Sequence, residues 1–156
     1  MKTKLMLFCL VLIFFLAGFS TLASGLANEG KTYTFQIIHI KAFEDGESWI
    51  DPKLSDIKKN LKKMSKYKRF EQWGGRDKPK AKLNTAVSVK KNGFKFTLEP
   101  TSESENKVTF KLKVRKDGKK KDAFSSSVSL LKVKHVFVVD LEKRSDYSYL
   151  VAFKVQ

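Results

Sequence analysis

The sequence predicts a mainly β fold, or an α+β variant of it. It reads as an antiparallel β-sandwich or curled sheet of about seven strands, with one amphipathic helix between strand one and a β-meander. Three observations predict this. Apolar residues alternate at period two through most of the chain after Lys82. Turn dipeptides, Asn92-Gly93 and Asp117-Gly118, separate the alternating runs. A single stretch, after Asp51-Pro52, shows helical spacing instead.

The chain opens with Lys2 and Lys4, then an uncharged apolar run from Leu5 to Phe19, then small residues at Ser20, Thr21, Ala23, Ser24, Gly25 and Ala27. Positive start, apolar middle and small-residue exit are the parts of a secretory signal peptide. Residues 1–27 are therefore expected to be a signal, cleaved between about 23 and 27, and residues 28–156 a single β-rich domain. The competing reading is an uncleaved membrane tether, because a span needs ~20 apolar residues and this run comes near that. Export places the protein in a periplasmic or extracellular setting. The one cysteine, Cys9, leaves with the signal, so the exported part forms no disulfide and depends on burial.

Tyr33 to Phe43, rich in β-branched and aromatic residues, is the first strand. Glu44-Asp45-Gly46-Glu47 is a turn. Asp51 as N-cap and Pro52 at the first helical position start a helix of about three to four turns. Leu54, Ile57, Leu61 and Met64 form its apolar face, with Lys59, Lys63 and Lys66 opposite. Tyr67 to Lys80 reads as irregular, broken by Gly74-Gly75 and Pro79, and carries Phe70 and Trp73.

Val87 and Val89, then Phe94, Phe96 and Leu98, form a hairpin about Asn92-Gly93. Pro100 to Asn106 reads as a polar turn. Val108, Phe110, Leu112 and Val114 then point one way while Thr109, Lys111, Lys113 and Arg115 point the other. Ala123–Leu131 is a weaker strand, and Val133–Leu141 and Tyr147–Val155 close the chain around a Glu142–Asp146 loop.

Familiar catalytic motifs are missing. There is no Gly-x-Ser-x-Gly elbow, His-Glu-x-x-His pair, phosphate loop or dinucleotide fingerprint. His39 and His135 sit in apolar strand contexts without a partner at metal-ligand spacing. No catalytic residue, metal or cofactor is implied. The acidic turn at 44–47 lacks calcium-loop spacing and reads as a solvated turn.

Charge is the anomaly. The formal net charge is +16, and the signal removes only two lysines. Residues 53–80 hold eleven Lys and Arg against three acids, and residues 107–121 hold eight against Asp117 alone. Such density attracts anionic polymers or surfaces. It also serves solubility and discourages edge-to-edge sheet pairing. The candidate contacts are Lys59, Lys63, Lys66, Arg69, Arg76, Lys111, Lys113 and Arg115, with Trp73 as an aromatic contact.

The stretch Ile50-Asp51-Pro52-Lys53-Leu54, with Ile57, Leu61, Tyr67 and Phe70 following, resembles a pattern in small exported bacterial β-rich proteins of unassigned function. In them a strand precedes an Ile-Asp-x-x-Leu helix, a Tyr-x-x-Phe follows, and a β-meander completes the chain. The resemblance carries over no functional residues.

These features favour an exported, non-enzymatic binding or accessory protein of the cell envelope. Its partner would be an envelope protein, or an anionic polymer or lipid surface, and cytosolic nucleic acid is disfavoured. One alternative is a small secreted hydrolase or metal-dependent enzyme using His39 or His135. The other is a secreted inhibitor-type protein projecting Trp73 from the 67–80 loop.

Overall fold

The computed structural model describes residues 30–156; the segment expected to be a signal peptide, residues 1–27 with Cys9, lies outside the described residues. The elements are β1 (Thr32–Phe43), β2 (Trp49–Ile50), a 3-10 segment (Pro52–Ile57), α1 (Lys58–Leu61), β3 (Arg69–Gln72), β4 (Lys80–Lys82), β5 (Val87–Lys91), β6 (Phe94–Ser104), β7 (Lys107–Lys116), β8 (Phe124–Leu131), β9 (Phe137–Lys143) and β10 (Ser148–Val155). They form two sheets. One runs β2-β3-β1-β10-β9, with β4 also pairing β1; the other runs β5-β6-β7-β8. Pairing is antiparallel except between β2 and β3, which are parallel. The mainly β sandwich with one helical segment is the fold the alternation predicts.

β1 buries residues on both of its faces, as a strand at the centre of its sheet does. Phe35 and Ile37 face one way and Ile38, Ile40 and Ala42 the other, all without exposed surface. β10 does the same with Val151 and Phe153 on one side and Leu150 and Ala152 on the other. Two cores result. The larger lies between the sheets, where Phe35, Tyr149 and Phe153 meet Phe94, Phe96, Phe110 and Leu112. The smaller lies under the helical segment, where Leu54, Ile57 and Leu61 cover Ile38, Ile40 and Leu150. Within residues 32–156 the layers are thus helical segment, sheet, sheet.

The helical segment is shorter and tighter than its apolar spacing predicts. Six residues of 3-10 helix precede one four-residue α turn. Lys58–Lys62 and Lys59–Lys63 are like-charge pairs four residues apart, which oppose helix propagation. Burial of three aliphatic side chains holds the segment instead. Asp51 caps it: one carboxylate oxygen accepts the Lys53 N–H at 2.9 Å, and the other accepts the Gln72 N–H at 3.2 Å.

Three other features depart from the sequence reading. The 67–80 stretch contains β3, which joins β1 through Ala42 opposite Phe70. β6 continues through Pro100 to Ser104, with a register shift between Pro100 and Ser102 where the proline is accommodated. The β9–β10 loop begins at Arg144, since Lys143 pairs with Ser148. The β5–β6 hairpin forms as expected, with Asn92 and Gly93 both at positive φ, 53° and 83°.

Candidate anion-binding face

The outer face of the four-stranded sheet collects cations among small hydroxyls. The β6–β7–β8 register sets Lys95 opposite Arg115, Thr97 beside Lys113 and Ser125, and Glu99 beside Lys111 and Ser127. Hydroxyl pairs tie the strands at Ser88–Thr97, 2.9 Å, and Thr109–Ser129, 2.8 Å. The alternation that buries Phe110, Leu112 and Val114 turns Lys111, Lys113 and Arg115 outward. Arg115 pairs with Asp122 at 2.9 Å, and Lys111 lies 3.7 Å from Glu99. Lys95 and Lys113 have no ion-pair partner among the described residues.

The second basic group lies on the opposite outer layer, with the helical segment. Lys59 and Lys63 are exposed there, beside Lys58 and Lys62. The other three expected contacts are engaged within the protein. Lys66 pairs with Glu44 at 3.1 Å, which raises its pKa, and lies over the Tyr67 ring. The Arg69 guanidinium stacks on Phe43 at 3.9 Å, with Glu71 3.2 Å away. Arg76 grips Asp56 at 2.8 and 3.0 Å and reaches Gln72 and the Lys53 carbonyl, clamping the 3-10 segment to the loop after β3. Arg76 first, and Lys154 after it, hold the Asp56 carboxyl at about 2. The eight expected cations therefore do not form one patch. Trp49, which no pattern in the sequence singles out, is 45% exposed on the edge strand β2, in a shallow groove with Ser48, Lys58 and Lys62.

Trp73 does not project from its loop. It packs edge-on against Tyr147 and Tyr149, with ring centroids 5.7 and 5.2 Å away. Lys41 and Arg144 lie over its ring at 5.0 and 5.2 Å. This cation–aromatic stack joins residues far apart in sequence, so only pairing across strands could reveal it.

Beneath the stack runs a polar row that leads from the buried Tyr149 and His39 to the partly exposed Asp77. His39, without exposed surface, lies 2.6 Å through Nδ1 from the Tyr149 hydroxyl and 2.8 Å through Nε2 from Asp77. Burial lowers the His39 pKa against the opposing pull of Asp77, and burial raises that of Tyr149. A neutral imidazole fits both neighbours: Tyr149 O–H donates to Nδ1, and Nε2–H donates to the Asp77 carboxylate. His135 is exposed in the β8–β9 loop, so the structure does not bring the histidines together. No group of three or more metal-ligating side chains converges among the described residues.

Comparison with protein-family models, with curated proteins and with solved structures finds no match for this chain.

Proposed function

We propose that this protein is an exported, non-enzymatic binding module of the cell envelope that attaches to an anionic partner through the outer face of its four-stranded sheet. One observation carries the reading. Lys95, Lys111, Lys113 and Arg115 stand in adjoining register on a face whose other groups are mainly serine and threonine hydroxyls. Such a face offers charge and hydrogen-bond donors together without a desolvated apolar centre. That chemistry suits a phosphate-, sulfate- or carboxylate-bearing surface. Lys95 and Lys113 need break no internal ion pair to bind.

The test is binding to an immobilised sulfated polysaccharide across a salt series. Affinity falls steeply as salt rises, and Lys95→Glu/Lys111→Glu/Lys113→Glu weakens it far more than Lys59→Glu/Lys63→Glu. Affinity that stays constant from low to high salt defeats the electrostatic reading. Equal loss in the two variants defeats a site confined to the sheet face, and a greater loss in Lys59→Glu/Lys63→Glu moves it to the helical side.

A second reading, a small hydrolase, draws on the Asp77–His39–Tyr149 order, in which a carboxylate orients an imidazole that faces a hydroxyl. It requires a substrate to reach an imidazole with no exposed surface. Hydrolysis of ester or glycoside probes that disappears in His39→Gln, with the fold retained, would establish it.

A further inference from the structure

Natural sheets protect their edges with short strands, charges, prolines or bulges, because an open edge recruits another strand. Most edges of this molecule are protected. β2 has two residues, β5 ends in Lys90-Lys91, and β9 carries Asp140, Glu142 and Lys143 opposite a register shift in β10. β8 is the exception. It is eight residues long, Phe-Ser-Ser-Ser-Val-Ser-Leu-Leu, with no charge and no proline, and pairs with β7 in unbroken register.

The outward backbone groups of β8 can be assigned; of these, the Ser127 carbonyl accepts a long 3.4 Å hydrogen bond from the Ser126 hydroxyl. Lys132 N–H donates to the Asn106 carbonyl at 2.8 Å, and Asp117 N–H to the Gly93 carbonyl at 2.8 Å. Both bonds fix the same phase along β7. Antiparallel alternation then turns the backbone groups of Phe124, Ser126, Val128 and Leu130 towards β7, and those of Ser125, Ser127 and Ser129 outward. Among the described residues, β7 is the only strand that pairs with β8. Ser125, Ser126 and Ser127 are all exposed, although neighbours along a strand point to opposite faces.

We propose that β8 is a docking edge for strand addition, and that its occupant is an extended segment of an acidic protein partner with apolar and acidic residues alternating. The two faces flanking the edge specify this chemistry. On the outer side, Ser125 and Ser127 are small, so the long side chains of Lys113 and Lys111 beside them in β7 can reach over to carboxylates on an added strand. On the inner side, the half-buried rings of Phe124 and Phe137, 6.0 Å apart, offer an apolar rim to the alternate residues. A second copy of this chain is a poor occupant, since pairing β8 with β8 would set two faces bearing Lys111, Lys113 and Arg115 side by side in a protein of net charge +16. The proposal deepens the function above and rests on its choice of face.

The experiment titrates the protein with a capped peptide as long as β8 that alternates glutamate and valine. A lysine–valine peptide and a glutamate–valine peptide N-methylated at alternate residues serve as controls. The acidic peptide binds, and the amides of Ser125, Ser127 and Ser129 gain protection from hydrogen exchange. N-methylation or lysine in place of glutamate abolishes binding. Ser127→Pro, which removes one outward N–H, weakens it about tenfold or more. A cooperative thermal transition of Ser127→Pro in circular dichroism, as in the unmodified protein, confirms that its fold is intact. N-methylated and unmodified peptides binding equally well would overturn strand addition while leaving the anionic-face reading in place. Dimerisation lost in Ser127→Pro would overturn the acidic occupant in favour of a second copy. Loss of salt-dependent polysaccharide binding in the unmodified protein would defeat the face itself.

Discussion

At the scale of the residue, His39 is the most constrained titratable group. It sits between Tyr149 and Asp77 with no exposed surface, and burial lowers its pKa below the ordinary 6.5. The unfolded chain therefore binds a proton at a pH where the native protein does not. The stability His39 contributes is complete above about pH 6.5 and falls as the pH drops through its lowered native value. The expected result is a melting temperature that declines between pH 7 and 5 in the unmodified protein and is flatter in His39→Gln. The carboxylates with lowered pKa do not share this window. Asp56, held at about 2 by Arg76, loses its contribution only as the pH falls from 3.8 through that value. Glu44, beside Lys143 and Lys66, and Glu142, beside Lys116 and Arg144, are likewise displaced downward from 4.5. A melting temperature that is flat from pH 7 to 5 in both proteins would mean that His39 has no such role.

At the scale of the element, the helical segment is held by what it covers rather than by its own propensity. Leu54→Ala removes a fully buried side chain from the smaller core and is expected to cost about 2–5 kcal/mol in denaturant unfolding. Asp51→Ala releases the Lys53 and Gln72 N–H groups and is expected to cost about 0.5–2 kcal/mol, the range for a lost cap. A reversed order would place the segment's stability in its cap. The same balance explains what the sequence could and could not convey. Leu54, Ile57 and Leu61 announce a helical face through their spacing, but the repulsion that opposes extending the helix beyond Leu61 lies in Lys58, Lys59, Lys62 and Lys63. Phe70 is the only buried residue of four in β3, so no alternation marks that strand. Pro100 looks like a strand end because it cannot donate a backbone hydrogen bond, yet β6 passes through it with a local shift in register.

At the scale of the whole molecule, charge is legible in the sequence as an amount but not as an arrangement. Period-two alternation by itself puts Lys111, Lys113 and Arg115 on one wet face. Lys95 joins them only through the β6–β7 register. Lys66, Arg69 and Arg76 look equally free in sequence, and the fold engages each with an acid or an aromatic ring. Trp73 and Trp49 exchange roles for a similar reason. A tryptophan in a glycine-bounded loop looks projecting, but the ring of Trp73 is gathered inward by Tyr147, Tyr149, Lys41 and Arg144. The polar row of Asp77, His39 and Tyr149 joins residues separated by 38 and 110 positions, beyond any local pattern.

The pairing of β1 with β10 also sets a timetable. Phe35 lies opposite Val155 and Ala42 opposite Ser148, so the middle of the larger sheet joins the first described strand to the last. A ribosome delivering this chain from its N-terminus holds β1 without its main partner until almost everything else has emerged. Contacts this distant close late and slowly. Such a chain stays pliable during synthesis and locks only on completion. A version ending at Asp146 is expected to remain without cooperative thermal unfolding in circular dichroism, and a sharp transition in that shortened chain would show that β10 is not the closing piece.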